Sequence, residues 1–301
     1  MDFSMWVSTE RMWDELVERA TWCEATGWHG LWVADHYMSQ TADNSPGDGR
    51  ILECWTVLAA LGALVPRIRL TSMVSPVTIH HPVVLAKRLA TVDEITGGRA
   101  VLGLGAGWQI NEHKAYGVEL PPPGPRVDRF EEAIEVIHQL FHEDRANFEG
   151  TYYTLTDAPF APRPASVPLL VGTASPRMLR LTAKWADEWN TWGDPTTIAA
   201  VTAKFHEACE KEGRDPSTVR RSAQAMVFMS EDPDRLAKLR ERAPAGRSLV
   251  GGVSELVDLC RQYAELGVDE LAIPDFTLGA TPEARAEAYA TLHAEVLSAF
   301  A

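Results

Sequence analysis

Short apolar runs alternate with amphipathic segments along most of the chain. Eight of these runs have the length and apolar character of buried strands. They cover residues 3–7, 31–34, 68–74, 101–104, 169–171, 189–191, 225–229 and 271–273. The segments between them carry apolar residues at helical spacing, as in the set Met12, Leu16, Ala20 and Cys23. Further helices are predicted from Pro82 to the stop signal at 97–98, over 129–143 and over 255–266.

Eight strands that alternate with helices in about 300 residues are typical of a (β/α)8 TIM barrel. We therefore predict an α/β barrel that spans residues 1–301 as one domain, with an inserted hairpin at about 146–164. The alternative is a doubly wound open sheet, which would bind a dinucleotide through a GxGxxG turn after its first strand. The run from Gly103 to Gly107 reads GxGxG and follows the fourth strand, so the pattern favours the barrel.

Composition narrows the class of partner. The chain has 28 Lys and Arg against 42 Asp and Glu, a formal net charge of −14, which disfavours nucleic acid and anionic membranes as partners. The uncharged run between Glu53 and Arg67 is shorter than the roughly 20 residues of a membrane-spanning helix. The first residues lack the positive charge of a secretory signal. The four cysteines are widely spaced, and we expect reduced thiols in a cytoplasmic protein.

Candidate chemistry lies where strands end, because barrel enzymes build their sites from the loops that follow strands. The second strand ends in Asp35-His36, which could transfer a proton, although a lone histidine is more often structural. The fifth is followed by a small-residue turn, 172–175, and by Pro176 at a helix start. This turn could hold a phosphate or be an ordinary capped turn. His80 and His81 are adjacent, so their side chains diverge, and no metal site is predicted.

Several segments together resemble the luciferase-like monooxygenase superfamily, in its coenzyme F420-dependent branch. The segments lie in order along nearly the whole chain, at 31–36, 70–76, 81–95, 97–99, 103–108, 168–172 and 181–190. The resemblance implies a TIM barrel, which agrees with the strand count. It also implies a homodimer and a deazaflavin ring held at the barrel mouth, over a non-proline cis peptide between Ser72 and Met73.

The resemblance also implies roles for individual residues. His36 corresponds to the catalytic histidine beside the reactive ring edge, while Trp108, Trp192 and the 39–49 loop would shape the substrate pocket. The phosphate would lie at the 172–175 turn. The implied cofactor contacts are Asp35, Ser72, Met73, Ser75, Ala106, Gly107, Asn111, Gly172, Thr173, Ala174 and Ser175.

One position departs from the family pattern. Deazaflavin-dependent dehydrogenases of this superfamily place a glutamate directly after the GxGxG run, where this chain has Trp108. A tryptophan cannot exchange a proton in that role, which disfavours oxidation of a hydroxyl group, and Glu112 is not assumed to compensate. We predict an oxidoreductase that moves a hydride between F420 and a small organic substrate. The alternatives are a monooxygenase that uses reduced FMN, a flavin- or deazaflavin-binding protein without turnover, and a sugar- or phosphate-binding barrel.

Overall fold

The computed structural model describes residues 1–164 and 166–300, and its parallel strands form a closed barrel. The strands are β1 Asp2–Val7, β2 Gly30–Val33, β3 Arg69–Ser72, β4 Ser75–Pro76, β5 Ala100–Gly105, β6 Ala146–Glu149, β7 Thr154–Ala158, β8 Leu169–Gly172, β9 Glu188–Trp192, β10 Arg220–Gln224, β11 Met226–Met229, β12 Ser248–Gly251 and β13 Glu270–Pro274. The helices are α1 Trp13–Thr26, α2 Cys54–Leu64, α3 Pro82–Thr96, α4 Ile110–Tyr116, α5 Pro123–His142, α6 Pro176–Trp185, α7 Pro195–Glu212, α8 Pro233–Arg242, α9 Val253–Glu265 and α10 Pro282–Thr291.

The barrel order is β3-β2-β1-β13-β10-β9-β8-β5, and pairing of β3 with β5 closes the ring. Neighbouring strands are parallel, with Asp2 opposite Glu270 where the first strand meets the last. The predicted TIM barrel is confirmed. The inserted hairpin is also present, because β6 and β7 pair antiparallel between α5 and β8. None of the helices in the described part of the chain is both long and apolar enough to cross a bilayer.

The seventh strand is a correction to the sequence analysis. Residues 225–229 were predicted to belong to the barrel, but the barrel strand is the preceding segment, β10. The strand β11 instead pairs with β12 in a separate two-stranded sheet. The apolar run was misleading because β10 is polar, and its Arg220 forms an ion pair with Asp2 and Glu270 at the floor of the barrel.

The amino-terminal end of the barrel is closed by charged side chains. Glu270 is fully buried and accepts hydrogen bonds from the Ser4 hydroxyl at 2.5 Å and from the Trp32 indole at 2.8 Å. Arg69 forms ion pairs with both Glu270 and Glu188. Burial raises the pKa of the Glu188 carboxyl, and this effect exceeds the lowering by the positive charge of Arg69. Side chains therefore fill this end of the barrel, and the cleft described below lies at the carboxyl-terminal mouth.

The elements around the mouth begin and end with clear local signals. Glu53 caps α2 by accepting from the backbone N–H groups of Trp55 and Thr56. The α3 helix has Pro82 in its first turn and ends at Gly97, whose φ of 66° is left-handed. The α5 helix buries one apolar face, which includes Phe130, against the barrel. These helices fix the loops that follow β2, β4 and β5.

Candidate active site

A cleft at the carboxyl-terminal mouth has two lobes that share part of their walls. The smaller lobe encloses about 270 Å³ and the larger about 860 Å³. Both are lined by His36, Val74, Trp108, Gly172 and Thr173. A pocket of this size is typical of a small-molecule or cofactor site. The cleft therefore lies where the sequence analysis placed the chemistry.

Most of the candidate residues line this cleft, and four lie behind its wall. The lining residues are His36, Met73, Ala106, Gly107, Trp108, Gly172, Thr173, Ala174, Ser175 and Trp192. The residues behind the wall are Asp35, Ser72, Ser75 and Asn111, all buried. Trp189 packs against Phe205 at 4.5 Å, and its indole N–H donates to the Thr173 carbonyl at 2.9 Å, so it supports the 172–175 turn.

His36 is held by a buried carboxylate. Its Nδ1 lies 3.0 Å from Glu112 Oε1, while Glu112 Oε2 accepts from the Tyr37 N–H at 2.8 Å. Only 1% of the Glu112 side chain is exposed, against 23% for His36. A carboxylate only accepts, so His36 donates through Nδ1–H and leaves Nε2 free to exchange a proton. The sequence analysis gave Glu112 no role, although its place in the first turn of α4 brings it to the strand-two loop.

Asp35 organises the layer beneath the cleft. Its carboxylate accepts from the Ser75 hydroxyl at 2.5 Å and from His80 Nε2 at 2.9 Å, and the Nδ1 of His80 accepts from Arg88 at 3.0 Å. His80 therefore belongs to a buried polar chain, while His81 caps α3. Asn111 fastens the 39–49 loop by donating to the carbonyls of Ser39 and Ser45. No three metal-binding side chains cluster within residues 1–164 and 166–300.

The non-proline cis peptide lies between Met73 and Val74, so the predicted position between Ser72 and Met73 is wrong by one residue. The Met73 N–H still donates to the Val33 carbonyl at 2.8 Å, which keeps the Ser72–Met73 peptide in the strand ladder. Val74 lies in the wall that the two lobes share. At Gly105 an added Cβ would lie 2.6 Å from a methyl carbon of Val74. The close packing of Val74 therefore explains why position 105 of the GxGxG run is a glycine.

The 172–175 turn, which follows β8, leads into the N-terminus of α6 beside a cation. The Thr173 N–H bonds to the Asn190 carbonyl, and the Ser175 N–H bonds to the Thr173 hydroxyl at 3.1 Å. Ser175 precedes α6 and makes no side-chain cap, so the first turn of the helix keeps free N–H groups. Arg126 lines the same lobe and donates to the Gly107 carbonyl, while its buried Nε has no partner. This combination favours a bound phosphate.

This chain is similar to known proteins over most of its length. The F420-dependent glucose-6-phosphate dehydrogenase of Microbacterium testaceum is 30% identical over 282 residues, which cover 91% of this chain and 82% of that protein. A monooxygenase from Streptomyces bottropensis superposes with a TM-score of 0.83 at 19% identity, and 100% of each chain is covered. An F420-dependent secondary alcohol dehydrogenase in complex with an F420-acetone adduct superposes with a TM-score of 0.80 at 20% identity, covering 91% of this chain and 92% of that one.

The two structural matches show a shared fold. The family is assigned from the sequence. A family model described as luciferase-like monooxygenase matches residues 1–247 of the 301. The matched stretch contains β1 to β11, and so includes His36, Glu112 and the 172–175 turn. This chain belongs to the luciferase-like monooxygenase family.

Proposed function

We propose that the protein is an F420-dependent oxidoreductase that transfers a hydride between the deazaflavin and a small organic substrate. The observation that carries the proposal is the His36–Glu112 pair, which places one proton-exchanging nitrogen in the wall shared by both lobes. The relative from Microbacterium testaceum supports the choice of cofactor, since it is named as F420-dependent and is similar over most of both chains.

The residues present fit a phosphorylated, flat-ringed cofactor. Val74, which packs closely against the backbone at Gly105, forms one wall on which a planar ring can lie. The first turn of α6, directly after the 172–175 turn, supplies free N–H groups. Arg126 supplies a positive charge and a buried Nε that has no partner among the described residues. Of the residues assigned by resemblance, we propose direct contact for Met73, Ala106, Gly107 and the turn. Asp35, Ser72, Ser75 and Asn111 would support them from behind.

The chain's own part in the reaction is binding, orientation and proton exchange. Bound F420 would supply the hydride chemistry at its ring carbon. The Nε2 atom of His36 accepts the substrate's proton, or returns it in the reverse direction, while Glu112 holds the Nδ1–H and stabilises the imidazolium. Trp108 packs edge-on against His36, with ring centroids 5.3 Å apart, and restricts the imidazole on the side toward solvent.

Because Trp108 stands where related dehydrogenases have a glutamate, the carboxylate of Glu112 takes part in proton transfer in a different way. Glu112 contacts His36 rather than lining the cleft alone, so the carboxylate acts through the imidazole. A single proton acceptor of this kind is sufficient for oxidation of a hydroxyl group. The objection to hydroxyl oxidation that Trp108 raises is therefore answered by Glu112, a positioning residue in the first turn of α4.

A reduced-FMN monooxygenase is the second candidate, and the structural similarity to the Streptomyces bottropensis monooxygenase is the observation that favours it. Oxygen uptake separates the two, because deazaflavins react poorly with oxygen and reduced flavins react readily. We expect substrate-dependent changes in F420 absorbance and no substrate-dependent oxygen uptake with reduced FMN. The opposite result would establish the monooxygenase, and neither activity together with tight cofactor binding would indicate a binding protein without turnover.

We further infer the setting in which the protein works. Cys23, Cys54, Cys209 and Cys260 are buried free thiols, as expected for a cytoplasmic protein. The family resemblance supports a homodimer in which residues 1–301 of each chain form one barrel domain. Size-exclusion chromatography with light scattering tests the dimer directly.

A further inference from the structure

The larger lobe of the cleft differs in charge from the rest of the chain. The whole sequence carries 42 acidic and 28 basic residues. Among the described residues, no Asp or Glu lines the larger lobe, and its charged lining residue is Arg247. A cation that forms no ion pair with a described residue, in a lobe without acidic lining residues, creates a local site for an anion.

A chain of hydrogen bonds fixes the polarity of one wall of this lobe. The Ser222 hydroxyl donates to the Trp189 carbonyl at 3.3 Å, and that carbonyl can only accept. Ser222 Oγ accepts from Asn190 Nδ2 at 3.0 Å, and Asn190 Oδ1 accepts from Gln224 Nε2 at 3.0 Å. Gln224 is 94% buried, and its Oε1 atom is left without a partner. An unpaired buried acceptor is costly unless a ligand supplies a donor.

Arg247 is held across the lobe by its backbone. The Arg247 carbonyl accepts from the Met226 N–H at 2.9 Å, and the Gly246 carbonyl accepts from the Asp194 N–H at 3.0 Å. The guanidinium lies 5.8 Å from the centre of the Trp192 ring, which meets Trp6 edge-on at 5.6 Å. The tether and the indole keep the charge beside an aromatic surface, and the Arg247 side chain is exposed, so a ligand in the lobe can reach it.

From these three features we infer the substrate class of the proposed oxidoreductase: an organic anion that also carries a hydroxyl or N–H donor. Arg247 binds the anionic group, Gln224 Oε1 accepts from the donor, and Trp192 packs against the carbon skeleton. The inference rests on the proposed function, since it assigns the larger lobe to substrate and leaves the 172–175 turn to the cofactor's phosphate. Gln224 and Arg247 are then specificity residues on the side of the cleft formed by β10 and the 244–247 loop.

A matched set of probes tests the assignment by calorimetry on the full-length protein, with and without saturating F420. Mandelate carries a ring, a carboxylate and a hydroxyl. Phenylacetate lacks the hydroxyl, and 1-phenylethanol lacks the charge. We expect mandelate to bind at least about tenfold more tightly than either analogue, which is the usual worth of one well-placed polar contact. Equal affinities, or no saturable binding of mandelate, would overturn the inference.

Two variants and a control connect the selectivity to the residues. In Arg247→Met the preference for mandelate over 1-phenylethanol should disappear, and in Gln224→Leu the preference over phenylacetate should disappear. Arg242→Met, at an exposed arginine in the last turn of α8, should retain both preferences. Thermal unfolding of each variant confirms that it is folded.

Binding of F420 distinguishes failure of this inference from failure of the proposed function. Arg247→Met should leave the F420 dissociation constant unchanged, and a variant that weakens F420 while mandelate binds normally would assign Arg247 to the cofactor and overturn the inference. Wild-type protein that binds F420 but shows no selectivity among the three probes refutes the inference alone. Protein that does not bind F420 refutes the proposed function, whatever the probes show.

Discussion

Replacement of Glu112 by glutamine removes one charge and changes the shape of the site little. The backbone N–H of Tyr37 can only donate, so the glutamine oxygen must face it, and the amide nitrogen then faces His36 Nδ1. His36 is thereby forced to carry its proton on Nε2, the nitrogen that must accept the substrate's proton. The variant should therefore fold normally and react slowly.

The size of the effect follows from the geometry. Two unit charges 3.0 Å apart attract by about 5 kcal/mol at an effective dielectric constant of about 20. His36 is 23% exposed, so solvent screening reduces this stabilisation of the imidazolium to roughly 2–3 kcal/mol. We expect turnover per bound cofactor to fall about 30- to 150-fold.

Turnover should be measured with the bound F420 counted in the same sample, because this ratio corrects for unfolded protein. Glu119→Gln is the matched control, since Glu119 is exposed and lies in the loop after α4. The F420 dissociation constant should be similar in both variants and in the wild type. Wild-type turnover per bound cofactor in Glu112→Gln would refute the role of the carboxylate.

Three further predictions follow from the structure. His36→Ala should lower turnover per bound F420 by about 10²–10⁴-fold with little change in cofactor affinity, and unchanged turnover would remove His36 from the reaction. Burial raises the pKa of Glu188 above its ordinary 4.5, so the folded protein binds this proton more tightly than the unfolded chain, and the contribution of Glu188 to stability falls as pH rises. Glu188→Gln should therefore gain thermal stability relative to wild type between about pH 4.5 and neutrality, whereas a relative loss over that range would contradict the assignment. Burial also raises the pKa of the Cys260 thiol to about 12, so a thiol reagent should label the native protein slowly and all four cysteines in denaturant, and fast native labelling would show that the burial is wrong.

Hydrophobic pattern was sufficient to predict the barrel and seven of its strands, because a parallel strand with both faces buried must be a short apolar run. It failed at β10, where Arg220 occupies the floor of the barrel and Gln224 lines the cleft. The charge of Arg220 is satisfied by Asp2 and Glu270, which are 218 and 50 residues away in sequence. A local pattern cannot show that such distant groups will neutralise a polar strand.

The site was predictable as a set of loops and less so as a set of contacts. Asp35 and Asn111 lie at the ends of a strand and a helix, as expected for site residues. Behind the cleft wall, however, Asp35 accepts a hydrogen bond from Ser75, and Asn111 donates to the 39–49 loop. Glu112 was the reverse case, since its contact with His36 depends on how α4 packs on the strand-two loop. Position along an element is encoded locally, whereas side-chain partners are decided by tertiary packing.

Equilibrium dialysis of the purified protein against F420, FMN and NADH tests the central claim most directly. The 172–175 turn with Arg126 offers one phosphate site beside a wall suited to a flat ring, and no GxGxxG turn is present for a dinucleotide. We predict that F420 binds saturably with one molecule per chain, more tightly than FMN, and that NADH is not retained. Retention of FMN or NADH in preference to F420 would contradict the account.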